Sequence, residues 1–557
     1  MEIRDTIKRA LSGALEKNNI SLAPELVPLE FPSELKNGDY SSGVALKEAK
    51  AAAMNPHSLA EKIVADMGVI DGVAKIDIAG PGFINLYLDP TALSKSLTQA
   101  VDTDMWGNGA FLSGKKIIID YTQPNPFKPF HIGHLMSNAT GEALSRLLEF
   151  SGATLIRVNY QGDVGLHIGK AIWGLKKLCI HPSDAQKIGE AYAYGAKAYE
   201  TEEQAKQEII AINKQVYDKS DPGVNELYQV GRKSSLEHFE DLYKILGTKF
   251  DDYFFESQVW ERGLEIVRSH MGDVFEESDG AVIFPGEKYG LNTRVFITSA
   301  GLPTYEGKEM GLIDKKFKKY SPDVSIVTTA VEQQNFFAVT TKAAECIDPS
   351  KIGKLRHVAH GMMRLETGKM SSRTGDVITG ESLLEDLIEQ AKTRASQSRA
   401  DDHEKLAQDV AVAAIKYQIL KQGSGKDITF DRERALSLEG DSGPYLQYAH
   451  ARARQILEKA KAEGITANID KSVVSGELSQ LLHRFPEIVE RAAVLYEPHV
   501  LATYLTQLAS SFNSWYAIEQ ILDGTPAASH KVALVAAFAR TLKNGLWILG
   551  IPAPEKM

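Results

Sequence analysis

Apolar residues along the chain change their spacing repeatedly, and each change predicts a different kind of element. From Ile3 to Leu15 and from Leu46 to Met67 they recur every three or four positions, the pattern of amphipathic helices. Val73 to Ile78 and Phe83 to Leu88 are short apolar runs around Gly80-Pro81-Gly82. Proline fixes φ there and the glycines free it, which predicts two strands joined by a turn. Residues 1–105 therefore read as a small α/β unit with no chemistry of its own. Ile117-Ile118-Ile119-Asp120 starts another strand, and Pro124, Pro126 and Pro129 forbid helix just beyond it. Helical spacing resumes with Leu135, Leu144, Leu147 and Leu148, and Ser151-Gly152 supplies the stop. Leu155 to Val158 and the glycine-punctuated Asn159 to Gly165 complete a βαβ half-unit, whose ligands bind at the carboxyl ends of the strands.

The alternation then breaks. Residues from about 180 to 275 are polar and helix-rich and read as an insertion. Val282 to Phe284, Val295 to Ile297 and Val324 to Val327 predict that the sheet resumes after it, which gives a nucleotide-binding domain over 106–385. Beyond residue 385 the strand signals stop. Val410 to Leu420, Tyr445 to Leu457, Val500 to Trp515 and Val532 to Leu549 predict a helical bundle over 386–557, closed by Gly550-Ile551-Pro552.

Composition narrows the setting. A chain of 557 residues exceeds one ordinary core, and 43% apolar with 24% charged residues is the balance of a soluble globular protein. No apolar run reaches the roughly 18 residues of a membrane span, and the amino terminus is a charged amphipathic helix without a secretory core. A cytoplasmic location and no membrane partner are expected. Cys179 and Cys346 stand far apart without metal-ligand spacing, so neither a disulfide framework nor a zinc site is supported. A net charge of −10 does not exclude RNA, because a large enzyme can bind it through one local basic surface.

Candidate chemistry concentrates in a few places. His131 and His134 lie three apart at a helix start, beside backbone N–H groups without intrahelical partners, and Gly133 opens the backbone between them. That arrangement suits phosphate. Taken alone, it suits surface or N-capping histidines equally. Asp163 is either a turn former or a functional acid, and Lys315-Lys316-Phe317-Lys318-Lys319 is either a solvated face or an RNA contact. Lys369 sits between Gly368 and Gly375 in a loop able to close over a ligand; a solvated lysine is the alternative. Tyr448, Arg452 and Arg454, close together on one helix, are core and solvated residues or an RNA contact.

H-I-G-H at 131–134 followed by K-M-S-S at 369–372, across an inserted segment of an α/β domain, resembles the paired signature of class I aminoacyl-tRNA synthetases. Q-P-N-P-F-K-P-F-H-I-G-H-L, N-Y-Q-G-D-V-G, G-L-P-T-Y, S-G-P-Y-L-Q-Y-A-H-A-R, G-P-G-F-I-N and the ending L-G-I-P-A-P-E-K-M resemble the arginyl-tRNA synthetases in particular, in order and over almost the whole chain. The resemblance implies a Rossmann-type catalytic domain with a helical insertion, an amino-terminal domain that touches the tRNA elbow, and a helical anticodon-binding domain. It implies ATP as its Mg²⁺ complex, L-arginine and tRNA(Arg) as partners, a monomer, no zinc, and tRNA already needed for the first step. Residue by residue, it makes His131, His134, Lys369 and Lys128 catalytic. ATP contacts fall to His131, Gly133, His134, Lys369, Met370, Ser371 and Ser372. The arginine pocket falls to Asp120, Asn125, His131, Tyr305, Glu309 and Gln333, and tRNA contacts to Tyr448, Arg452 and Arg454.

Three positions depart from the family pattern. Asp120 stands where Glu is usual, Gln123 where Ser is usual, and Glu309 where Asp is usual; Ala330-Val331-Glu332-Gln333-Gln334 replaces an acid-bearing strand end. One methylene lost at Asp120 and one gained at Glu309 predicts compensation across a single guanidinium. Among rivals, a cysteinyl synthetase needs thiolate ligands this chain lacks, small nucleotidyltransferases lack the helical carboxyl domain, and a non-catalytic RNA binder has no use for His131, His134 and Lys369 together.

Overall fold

Ile117-Ile118-Ile119 is buried on both faces because it is the middle strand of a parallel sheet. The computed structural model describes residues 3–366, 379–471 and 476–557. Its contacts group into two units.

The first unit comprises Met1–Gly107, Ala449–Glu487 and Gln507–Asn544. Its amino-terminal part is an antiparallel sheet of β1 (Tyr40–Ser42), β2 (Val73–Ala79) and β3 (Phe83–Leu88) in the order β1-β3-β2, as the alternating runs predict for the last two. Gly82 in the turn has φ +132°, and a β-carbon there would meet the Pro56 carbonyl oxygen at 2.8 Å. Helices Ile3–Lys17 and Pro56–Met67 pack against each other through Ile7, Leu11, Leu59 and Ile63. The helical part of the unit joins this core where Tyr40 donates to Glu487 and Ser96 meets His483 Nδ1 at 2.8 Å.

The second unit comprises Asn108–Tyr448, Ile488–Thr506 and Gly545–Met557. Its sheet consists of β4 (Lys116–Asp120), β5 (Thr154–Gln161) and β6 (Asp252–Phe255), with β10 (Val324–Ala330) and β11 (Leu355–His360) added from later in the chain. The order is β11-β10-β4-β5-β6 and every pairing is parallel. The sequence direction reverses between β4 and β10, so the crevice at their carboxyl ends is the topological switch point. Between β6 and β10 lies a separate antiparallel sheet of β7 (Glu276–Ser278), β8 (Ala281–Phe284) and β9 (Arg294–Ile297). A short β12 (Met363–Leu365) pairs with β13 (Ile428–Phe430).

Three expectations need correction. Val282 to Phe284 and Val295 to Ile297 do not resume the parallel sheet; they form the small antiparallel one, half-exposed and packed through Phe284 and Phe296 on helices Tyr305–Tyr320 and Gln334–Ile347. The strand that does extend the main sheet, β6, falls inside the range read as insertion, because the four residues Asp252–Phe255 are too short a run to show a period of their own beside long helical patterns. Strand β13 likewise lies beyond the point where strand signals were expected to end.

The insertion proper is a helical cluster, Ala185–Thr201, Glu203–Asp218 and Pro222–Leu246, with its own core of Ile188, Ile209, Ile212 and Val224 against Ile172 and Trp173. A buried polar network sits behind β4: Tyr121 donates to Glu142 at 2.6 Å and Arg146 donates to the same carboxylate at 2.6 Å. Lys416, fully buried, donates to the carbonyls of Leu246 at 2.6 Å and Gly550 at 2.9 Å.

Candidate active site

The loop leaving β4 is held in a conformation that its residues do not prefer. Thr122, Gln123 and Phe127 have φ of +75°, +53° and +67°, the left-handed region, at about 1–3 kcal/mol each for side chains of this kind. Neighbouring elements enforce it. Thr122 N–H donates to Ser137 Oγ at 2.9 Å, and Ser137 Oγ–H donates across the switch point to the Thr328 carbonyl at 2.7 Å. Gln123 N–H donates to Asn159 at 3.1 Å, and Phe127 N–H to Ser235 at 3.1 Å. Three side chains of the loop are also seated on glycines of other elements. A β-carbon at Gly141 would lie 2.2 Å from the Tyr121 ring, at Gly162 2.7 Å from Asn125 Oδ1, and at Gly231 2.4 Å from the Phe127 ring. Gly141 and Gly231 lie inside helices, where glycine costs about 0.5–1 kcal/mol relative to alanine; the close approach of the loop accounts for them.

Helix Ile132–Phe150 begins where the loop ends, with His131 as its N-cap. The capping reading of the histidine pair is met. His134 accepts the His131 backbone N–H through Nδ1 at 3.2 Å, and the two rings stack at 3.5 Å. Burial lowers the pKa of both below the usual histidine value, His134 strongly, and the nearby charge of Lys128 lowers them further. Both imidazoles are therefore neutral at pH 7, and the proton of His134 sits on Nε2. Gly133 lets the His131 ring lie over the helix start, since a β-carbon would meet it at 3.0 Å. Lys128 turns towards the insertion, its ammonium 5.4 Å from the centre of the Tyr192 ring, and is not part of the cavity wall.

The cavity in front of this helix has a volume of about 540 Å³. His131, Gly133, His134, His360 and Thr329 line it, as do Asp120, Gln123, Tyr160, Glu309 and Leu312. Asn125 is also in the wall, its Oδ1 accepting Gly162 N–H at 3.0 Å, which leaves its Nδ2 to donate to a ligand. Glu309 is 7% exposed and, among the described residues, has no hydrogen-bond or ion-pair partner; burial raises its pKa to about 7. Asp120 is the opposite case. It forms a buried ion pair with Lys316, and its Oδ1 accepts Gln123 Nε2 at 2.9 Å and Tyr160 N–H at 3.1 Å. Gln123 thus reaches Asp120, so two of the three departures from the family pattern touch each other rather than Asp120 touching Glu309. Arg294 and Glu306 pair at 2.7 Å within the wall, and Glu256, also of the wall, forms an ion pair with Lys308.

All six residues expected around arginine, Asp120, Asn125, His131, Tyr305, Glu309 and Gln333, line this one cavity. Tyr305 is at its rim, 71% exposed. Lys369, Met370, Ser371 and Ser372 lie outside the described residues. Tyr448, Arg452 and Arg454 lie on helix Gly443–Ala462, which contributes no wall residue; Arg452 donates to Asn513 at 2.6 Å. Asp163 is structural: buried, it accepts from Ser257 N–H at 2.9 Å, Ser257 Oγ at 2.8 Å and Arg232 at 3.0 Å, tying β5, β6 and the insertion together. Sequence reasoning missed Lys316, Glu256, Lys308, Arg294 and His167. Lys316 carries a usable signal, since it follows Glu309 by two helical turns on the same face.

A parallel sheet with a proline-stiffened loop and paired histidines at its switch point is the catalytic domain of a class I aminoacyl-tRNA synthetase. The family description "tRNA synthetases class I (R), catalytic domain" matches residues 96–432, "Arginyl tRNA synthetase N terminal domain" matches 1–88 and "DALR anticodon binding domain" matches 446–557. The chain is 30% identical to the arginine–tRNA ligase of Borreliella burgdorferi over 584 aligned residues, covering 100% of this chain and 99% of that one. It is 30% identical to that of Clostridioides difficile, covering 99% of each. Its fold matches the solved arginyl-tRNA synthetases of Thermus thermophilus (TM-score 0.78, 24% identity) and Plasmodium falciparum (TM-score 0.81, 22% identity), covering 100% of each chain in both cases. The chain belongs to the arginyl-tRNA synthetase family.

Proposed function

We propose that the cavity receives L-arginine with its guanidinium against Glu309 and its carboxylate beside the α-phosphate of ATP at His131 and His134. The enzyme is an arginine–tRNA ligase, which uses ATP to join arginine to the 3′ end of tRNA. The observation that carries the placement is Glu309, a buried carboxylate facing the cavity without a partner among the described residues. A planar cation with five donors satisfies such a group.

In the first step a carboxylate oxygen of arginine attacks the α-phosphorus, the bond to the β-phosphate oxygen breaks, and pyrophosphate leaves arginyl-adenylate behind. Little covalent chemistry is asked of the protein, so orientation and charge stabilisation carry the rate. Neutral His131 and the Nε2–H of His134 donate to the phosphoryl oxygens as the phosphorus becomes five-coordinate. Asn125 and His131 lie near the amino and carboxylate ends of arginine, with Asn125 Nδ2 donating to the carboxylate, while Tyr305, Gln333 and Asp120 belong to the guanidinium end. Gly133 leaves room for the nucleotide. ATP enters with Mg²⁺, which arrives as part of the substrate. Lys369, Met370, Ser371 and Ser372 meet the departing phosphates, and Lys128, whose ammonium lies over Tyr192 rather than in the wall, adds positive charge at longer range. In the second step the 2′-hydroxyl of the terminal adenosine attacks the adenylate carbonyl and releases AMP.

Three functional parts complete the reading: 1–105 for tRNA contacts outside the anticodon, 106–385 for catalysis and 386–557 for the anticodon, with Tyr448, Arg452 and Arg454 on the tRNA-facing helix. We read the enzyme as a monomer. No helix among the described residues is long and apolar enough to cross a membrane, and we place the enzyme in the cytoplasm with its tRNA(Arg). Pyrophosphate exchange into ATP, measured with each of the twenty amino acids and with tRNA present, tests the assignment. Exchange with arginine alone is expected; exchange with a different amino acid overturns it.

A further inference from the structure

Helix Pro222–Leu246 of the insertion turns one face to the loop that carries the histidines. Gly231 seats the Phe127 ring and Ser235 accepts Phe127 N–H; His238 and Phe239 follow three and four positions on, along the same face. Phe239 is buried against Phe130, with 6.2 Å between ring centres. His238 meets a different element. Its Nε2 lies 3.0 Å from Glu381 Oε2, and the two side chains are only 25% and 18% exposed.

Glu381 stands in the first turn of helix Gly380–Ala395, and the start of that helix is joined to the histidine loop. Gly380 N–H donates to the Phe130 carbonyl at 2.8 Å, and Thr379 forms an antiparallel β-bridge with His131. A β-carbon on Gly380 would stand 2.9 Å from the His131 carbonyl oxygen, so the two backbones approach as closely as glycine permits. Thr379 caps the helix by accepting Ser382 N–H at 3.0 Å, and the negative charge of Glu381 suits a turn whose N–H groups lack intrahelical partners. Neither the cap nor the turn needs a histidine. A partly exposed ion pair adds little to overall stability, so what His238 contributes is location: it ties the turn that holds the His131 backbone to the insertion.

We infer that His238 and Glu381 are positioning residues for adenylate formation: their ion pair fixes the first turn of helix Gly380–Ala395 on the insertion, and the Thr379–His131 bridge passes that position to His131 at the α-phosphate. Neither side chain lines the cavity. The inference rests on the reading that His131 meets the α-phosphate. The charged groups facing His238 are Glu381 and Glu385 from helix Gly380–Ala395 and Asp241 from its own helix; all are acidic, and the bond to Glu381 does most to hold its pKa above the ordinary histidine value. The pair is therefore present at pH 6.5 and is lost as pH rises through the raised value.

The test is single-turnover adenylate formation by the full-length chain with tRNA(Arg), at saturating arginine and ATP, from pH 6.5 to 9. At pH 6.5 His238→Gln, which keeps a hydrogen bond without the charge, is expected to be about tenfold slower than the parent, within what a small misplacement of a reacting geometry costs. His238→Lys keeps the cation and should stay close to the parent rate. As pH rises the parent slows towards the His238→Gln rate, whereas His238→Lys stays level, because an ammonium holds its proton to about pH 10. Glu381→Gln should be slow and level, and it decides the matter where a His238 variant does not accumulate. A parent-like rate in His238→Gln or Glu381→Gln overturns the inference, as do equal rates in His238→Gln and His238→Lys, since a merely structural histidine would be missed equally in both. His131→Ala separates the underlying reading: a parent-like rate there defeats the placement of His131 itself, whereas a slowed His131→Ala beside an unaffected His238→Gln defeats only the positioning role.

Discussion

His134 accepts the backbone N–H of His131 through Nδ1, and this one hydrogen bond decides which nitrogen of His134 carries the proton offered to a phosphate. His134→Asn puts an acceptor back near Nδ1 but has nothing at the position of Nε2. Single-turnover adenylate formation in that variant is expected to slow by about 10²–10³, the usual result of losing one oriented donor in the transition state. The melting temperature should stay close to that of the parent. An unchanged rate would remove His134 from the chemistry and leave it as a cap.

Glu309 makes arginine binding depend on pH near neutrality. Its pKa in the free enzyme is raised to about 7 by burial, so it carries its charge above that pH and loses it below. Guanidinium keeps its proton throughout this range. The arginine KM is therefore expected to be level above pH 7 and to climb about tenfold for each unit below it, following the fraction of ionised Glu309. Burial lowers the pKa of both histidines below the usual value, so kcat at saturating arginine should not follow the same curve. Steady-state kinetics between pH 5.5 and 8.5, in the parent and in Glu309→Gln, give the test; the variant should show no such climb.

Gly231 faces a ring rather than a turn. Gly231→Ala gains up to about 1 kcal/mol of helix propensity but pushes a methyl group into Phe127, at about 1–3 kcal/mol for overpacking. A net loss of stability is expected, together with a lower kcat, since Phe127 belongs to the same loop as Asn125 and His131. The double variant G231A/F127L makes room for the methyl group and should recover part of the loss. If Gly231→Ala proved more stable than the parent and fully active, the seat would have no role.

Lys416 gives a stability effect with a definite sign. Its pKa in the folded protein is lowered to about 7, chiefly by burial, from an ordinary value of 10.5. Between those two values the unfolded chain binds the extra proton, so this group adds stability as pH rises. Lys416→Met lacks that contribution. Urea unfolding at pH 7.5 and 9.5 should show the stability of the parent relative to the variant growing by about 1.4 kcal/mol per pH unit. A constant difference would mean that Lys416 titrates normally in the folded state.

The parts of this molecule that were legible from sequence are those governed by local rules. Ile117 to Asp120, the proline-barred loop and the helix that follows have strong periods and breakers, and the structure places them as read. Strand β6 was not legible, because its four residues owe their state to pairing with β5 at a sheet edge rather than to their own pattern. The site divided in the same way. Residues near the histidine signature or in positions matching the family, such as Asn125, Tyr305 and Gln333, could be named from sequence, and they line the cavity. Lys316 could not: inside a run of lysines it reads as one more solvated charge, and only the fold brings Asp120 to it from 196 positions away. Gly141 and Gly231 were equally silent, since what they accommodate belongs to another element.

The bond from Ser137 to the Thr328 carbonyl has a consequence for biosynthesis. A ribosome delivers the chain from its amino terminus, so β4, its loop and the histidine helix emerge long before their partners. Phe127 has no seat until Gly231 has been made, and Ser137 has no acceptor until β10 has been made. During that interval the loop lacks the contacts that force Thr122, Gln123 and Phe127 into their unfavoured backbone states, and it relaxes out of them. The nascent chain therefore carries its histidine signature early, but the loop beside it is held in place only after roughly the first 330 residues have emerged, and the cavity is completed later still, when His360 has been made.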